Sequence, residues 1–198
     1  DPTPTAQQLE TPVIGDPVQV HLLRSTDGGE SWSKVANTGL AAPSVTQVAV
    51  GALVEDGHLL IAGADDAGTR SFEPVLWDCD PRLQCSRHQL ATSIGQMEVV
   101  TGDIAMLHGV AVVLTTASPQ FLIAERSDFM LPWETAGRSY LCAYDLSNGG
   151  SAVRTLTRIN QVEDLVADGD RLLAVGRYEH PDGRLGDLEI AAITAAAG

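Results

Sequence analysis

This chain has very little helical periodicity and no run of apolar residues long enough to cross a membrane as a helix. It has one lysine, Lys34, among 12 basic residues, set against 26 carboxylates, for a formal charge of −14. A surface so short of positive charge excludes nucleic acid and anionic membrane as expected partners. No Asn-x-Ser/Thr sequon is present. No G-x-x-x-x-G-K-S/T, no dinucleotide-binding glycine pattern and no G-x-S-x-G occurs, so phosphate, dinucleotide and serine-hydrolase chemistry have no support. The histidines at 21, 58, 88, 108 and 180 form no H-x-x-x-H or His/Cys cluster. Neither a metal nor a cofactor is therefore expected.

What fills the chain instead is short apolar runs separated by Gly, Pro, Asp and Asn, the pattern of an all-β protein. Val54-Glu-Asp-Gly57-His-Leu-Leu-Ile-Ala-Gly63 is repeated as Val166-Ala-Asp-Gly169-Asp-Arg-Leu-Leu-Ala-Val-Gly176, with a looser copy at Met106–Leu114. The turn glycines 57, 109 and 169 stand 52 and 60 residues apart. That is near the roughly 40–50 residues of a propeller blade with lengthened loops. Each repeat is followed by an expected outer hairpin, Val75–Cys79 with Cys85–Leu90, then Tyr140–Leu146 with Ser151–Leu156 across Asn148-Gly149.

A further hairpin stands before the repeats. Between Val18–Arg24 and Ser33–Val35 lies Ser25-Thr-Asp27-Gly-Gly29-Glu-Ser-Trp32. Asp27 suits an Asx-type turn, the glycines suit positive φ, and Trp32 lays an apolar ring over the turn. At Ser25, Asp27, Gly29 and Trp32 this stretch resembles the Asp-box, or BNR, repeat. The resemblance implies a β-propeller whose box joins the two outer strands of a blade, on the face away from the catalytic site. The specific match covers about residues 18–36. The two later hairpins read as relatives whose box has decayed.

The expected fold is an all-β β-propeller, or a propeller segment, of four-stranded antiparallel blades, with a β-sandwich as the alternative. Residues 1–17 read as a flexible polar leader, and 18–198 as a single propeller domain or segment. Within it fall an outer hairpin (18–36), blades at 45–90 and 98–157, and a partial blade at 162–193. About three blades do not close a ring of four to eight. Self-association or a partner segment is one way to complete it. Cys79 and Cys85 lie across a predicted turn, within reach of a disulfide if the hairpin register allows. Cys142 is left over, as a small buried residue. This cysteine usage favours an exported, extracellular or cell-envelope location.

In such a scaffold the tight turns share one face and the b–c loops the other. Binding is expected on the loops, at Ala64–Phe72, Ser118–Ser139 and Arg177–Asp187. Asp65, Asp66, Arg70, Arg126, Trp133, Tyr178 and His180 are the expected ligand residues for a protein or glycan. Asp65-Asp66, Asp78-x-Asp80 and Asp168-Gly-Asp170 are weighed as calcium ligands and read as turn residues. Sialidase activity is not expected: the Phe/Tyr-Arg-Ile-Pro motif and the three arginines are absent, and Tyr178 and Glu179 are adjacent strand residues pointing apart. The sequence leans against an enzyme. If it is one, Asp103 and Glu163, with Asp164 beside them, are the carboxylates for hydrolysis or lysis of a neutral glycan.

Overall fold

The computed structural model describes residues 18–42, 45–66, 72–90, 97–119, 138–156, 161–180 and 184–194. Thirteen strands and no helix occur among them. Strands β3 (Thr46–Glu55), β4 (His58–Asp66), β5 (Phe72–Cys79) and β6 (Cys85–Gln89) form one antiparallel four-stranded sheet in chain order. Strands β7 (Met97–Leu107), β8 (Val110–Pro119), β9 (Arg138–Asp145) and β10 (Ser151–Thr155) form a second. A three-stranded sheet follows, made of β11 (Gln161–Asp168), β12 (Arg171–Glu179) and β13 (Leu185–Thr194). The chain enters through a small hairpin, β1 (Leu23–Arg24) with β2 (Ser33–Lys34).

The first strands of successive sheets, β3, β7 and β11, pack side by side, and the sheets stack as blades from them. This is a β-propeller segment; no closed ring is formed among the described residues. Two-residue turns join the first two strands of each blade. Asp56-Gly57 and His108-Gly109 both adopt positive φ at both positions, as a type I′ hairpin demands, and so fix the register Glu55↔His58 and Leu107↔Val110.

Alternation sorts each strand's side chains to the two faces of its blade, so each seam between blades carries an apolar layer. Leu60, Ala62, Leu76 and Leu90 of the first blade meet Ile104, Ala111, Val113, Tyr140, Cys142 and Tyr144 of the second. Ala105, Leu107, Val112, Leu114 and Leu141 on the other face of the second blade meet Leu165, Leu172 and Ala174 of the third. The far face of the first blade buries Ile61, Val75, Trp77 and Cys79 under Val20, Leu22 and Leu40. Gly63 is obligatory there. A Cβ on it would lie 2.6 Å from the Trp77 ring and 2.1 Å from the Val48 carbonyl oxygen. The segment after β2 covers the first blade's edge, with Cys85 N–H donating to the Thr38 carbonyl at 2.7 Å.

Cys79 and Cys85 are directly paired across β5 and β6 and form a disulfide. Cys142 is free and buried, and burial pushes its thiol pKa up. No helix among the described residues is long and apolar enough to cross a membrane.

Candidate functional site

The hairpin at Ser25–Trp32 folds around Asp27. Its Oδ1 accepts the Ser25 hydroxyl at 2.7 Å and the Ser31 N–H at 3.0 Å, and its Oδ2 accepts the Ser31 hydroxyl. Ser25 Oγ in turn accepts the Gly29 N–H at 2.8 Å. The Trp32 indole N–H donates to the Gly29 carbonyl at 3.1 Å, although the ring itself is 62% exposed. The bonds from Ser31, then the one from Ser25, hold the Asp27 carboxyl well below the usual range. All of its capacity is spent within its own turn.

The outer turns of the first two blades follow the same plan. Asp80 accepts the N–H groups of Arg82 and Gln84, at 2.8 and 2.9 Å. Asp145 accepts the Ser147 N–H at 2.8 Å, the Ser147 hydroxyl at 2.6 Å and the Asn148 amide at 2.7 Å, and Ser147 holds its pKa down. Gln84 N–H stands to Asp80 as Ser31 N–H stands to Asp27, four residues on. These aspartates close turns and face away from the loops.

The inner strands carry the second candidate. Each has an irregularity at the same place: between Ala49 and Gly51 in β3, between Thr101 and Asp103 in β7, and between Val162 and Asp164 in β11. A bulge re-aims the residue that follows it. Asp103 is thereby turned toward the third blade. Its Oδ1 accepts the N–H of Ile104 at 2.7 Å and its Oδ2 accepts the N–H of Leu165, on β11, at 3.1 Å. Asp164 Oδ1 accepts that same Leu165 N–H at 2.9 Å. The two carboxyl groups thus converge on one N–H. Burial, and then the Asp164 contact, raise the Asp103 pKa against the pull of its two backbone donors. The expected partner Glu163 is the bulge residue; its side chain lies outside the described ones.

On the loop face the strands run further than the sequence suggests. β4 continues to Asp66, so Asp65 is a strand residue, 3% exposed and turned into the blade. Arg87 grips both its oxygens, Nε to Oδ2 at 2.6 Å and Nη2 to Oδ1 at 2.8 Å. The Asp66 side chain, and Arg70, Arg126 and Trp133 entirely, lie outside the described residues. Tyr178 falls on β12, not in a loop, and its half-buried ring meets His180 edge-on at 5.1 Å. His180 N–H donates to the Arg184 carbonyl at 2.8 Å. Of the expected ligand residues, then, Tyr178 and His180 are together, and Asp65 is bound elsewhere.

Two pairs were missed from sequence. His58 Nδ1 meets Asp78 Oδ1 at 2.7 Å, and Asp78 raises its pKa, by the hydrogen bond first and by charge second. Tyr144 and His88 meet across the first seam, hydroxyl to Nδ1 at 2.8 Å, with their rings tilted by 33° and their centroids 4.7 Å apart. An apolar groove of about 270 Å³ opens between β10 and β13, lined by Leu107, Val112, Leu141, Ala143, Leu172 and Ile193. Among the described residues no three of His, Cys, Asp and Glu are grouped to hold a metal ion.

No family model matches this chain, and no curated protein matches it.

Proposed function

We propose that this chain is a non-catalytic binding module: a propeller segment of the Asp-box kind, exported to an extracellular or cell-envelope setting, that offers its loop face to a protein or glycan ligand. The observation that carries the reading is where the carboxylates go. Asp103 spends both oxygens on the N–H groups of Ile104 and Leu165, and Asp65 spends both on Arg87. Asp164 is turned to the same use, its Oδ1 accepting the Leu165 N–H beside Asp103 Oδ2. These carboxylates serve the scaffold.

The Asp27 turn, with its echoes at Asp80 and Asp145, supports the Asp-box reading. The Cys79–Cys85 disulfide supports an oxidising compartment, because such bonds persist there and are rare in reducing cytosol. Tyr178 and His180 give the loop face an aromatic pair, and Arg126 and Trp133 fall in the stretch of sequence between β8 and β9.

A glycan array probed with the labelled chain tests the reading. A specific signal is expected. Trp133→Ala should weaken it by about 2 kcal/mol, roughly thirtyfold, as truncation of an aromatic anchor does. Turnover of array glycans that disappears in folded Asp103→Ala or Glu163→Ala would replace this reading with a glycosidase.

A further inference from the structure

We propose that the Asp103–Asp164 contact is a proton-operated joint between the second and third blades, clasped when the two carboxyls share a proton and strained when they do not. The geometry supplies one backbone donor for two acceptors. Leu165 N–H lies 3.1 Å from Asp103 Oδ2 and 2.9 Å from Asp164 Oδ1. With both groups ionised, that single N–H stands between two like charges, one on the half-buried Asp103 and one on the exposed Asp164. A proton between the carboxyls converts the repulsion into a second hydrogen bond and leaves both contacts to Leu165 in place.

The repeat provides its own control. The residue after the bulge in β3 is Gly51, with no side chain, and Ile104 packs against it so closely that a Cβ would lie 3.3 Å from the Ile104 methyl. The first seam is closed by apposition of backbone and methyl, with no titrating group at that place. The other charged side chains described on strands packed against β7 are Glu55 of β3, His58 and Asp65 of β4, Glu73 and Asp78 of β5, Asp168 of β11, and Arg171 and Arg177 of β12. Asp65 is held by Arg87, His58 by Asp78, Glu73 by Gln89 and Asp168 by Arg171. Arg177 stands on the Asp164 side of β12, two positions beyond the residue paired with Asp164. Asp164 shares the Leu165 N–H with Asp103.

The sign follows from the raised Asp103 pKa. The folded chain holds a proton that the unfolded chain has already lost, so stability falls as pH rises from the ordinary aspartate value near 4 through the folded value. The third blade carries Tyr178 and His180, so the joint governs how firmly that part of the loop face is held.

The test is hydrogen exchange at the Leu165 amide, corrected for intrinsic base catalysis, between about pH 4 and about pH 8. Wild type should lose protection about tenfold or more across that range. Asp103→Asn gives up the Ile104 bond but keeps a carbonyl oxygen for Leu165 and removes the titrating charge, so its Leu165 protection should not change with pH. Unchanged wild-type protection, or an undiminished pH response in folded Asp103→Asn, overturns the proposal. Should that variant not fold, Asp164→Asn is read by the same criteria. Carboxyl 13C titration of the folded wild type gives a further decision: a coupled pair supports the joint, and two independent ordinary carboxylates overturn it.

Discussion

The seam between the first and second blades and the seam between the second and third are copies of one design, yet they are closed by different chemistry. The first is mainly apolar: Gly51 against Ile104 inside, then Leu60, Leu76, Val113 and Cys142, then Leu90 outside, with one polar contact, Tyr144 to His88, across it. The second has two carboxyls at the inner strands and opens at its outer side into the groove beside Ile193. The same strand positions therefore give a sealed joint in one case and an adjustable one in the other. What decides is the residue after the bulge, glycine in β3 and aspartate in β7 and β11.

The largest test of that contrast is truncation of one leucine on each side. Leu60→Ala, in the first seam, should cost about 4 kcal/mol, and Leu172→Ala, which lines the groove, about 2 kcal/mol, read from denaturant midpoints. Equal losses would mean that the two seams are equally tight. Next in size is Tyr144→Phe, which removes the hydroxyl shared with His88 and should cost about 1 kcal/mol, leaving Leu165 exchange unchanged. A change at Leu165 would show that the seams are not independent.

The smallest effect concerns His58. Asp78 raises its pKa, so the stabilisation is complete below the unfolded histidine value near 6.5 and is lost as pH rises through the folded one. Asp78→Asn should return the His58 titration, followed by NMR, to the ordinary range. His58 is well exposed, so the change in stability should be small. Both groups weaken the molecule as pH rises, but in separate windows, Asp103 starting near 4 and His58 above 6.5.

Much of the architecture was legible because it is local. Asp56-Gly57 and His108-Gly109 announce two-residue turns, and alternation in the flanking strands then sorts core from surface. The Asp27 turn and the Cys79–Cys85 pair are local too. The contacts of the site were less legible because they are not. Tyr144 finds His88 at a separation of 56 residues, and Asp103 reaches Leu165 at 62. His58 shows no cluster in sequence because its partner, Asp78, is a cross-strand neighbour 20 residues on. The bulges are the second obstacle. Counting by twos along β7 places Asp103 on the wrong face unless the irregularity before it is known. Asp65 was misplaced for a third reason. Asp65-Asp66 reads as loop, but Arg87 compensates the buried charge and lets β4 run to its end.

The three aspartate-centred turns bear on the order in which the molecule assembles. Each closes contacts between residues no more than four apart, and so does not wait for distant strands. Loops this short close far faster than the pairings that join one blade to the next. The outer hairpins are thus expected to form first and the axis last. In pulse-labelled refolding, the Ser31 and Gln84 amides should gain protection before that of Leu165. The chain would build itself from rim to hub, leaving the proton-sharing carboxyls to set as its final joint.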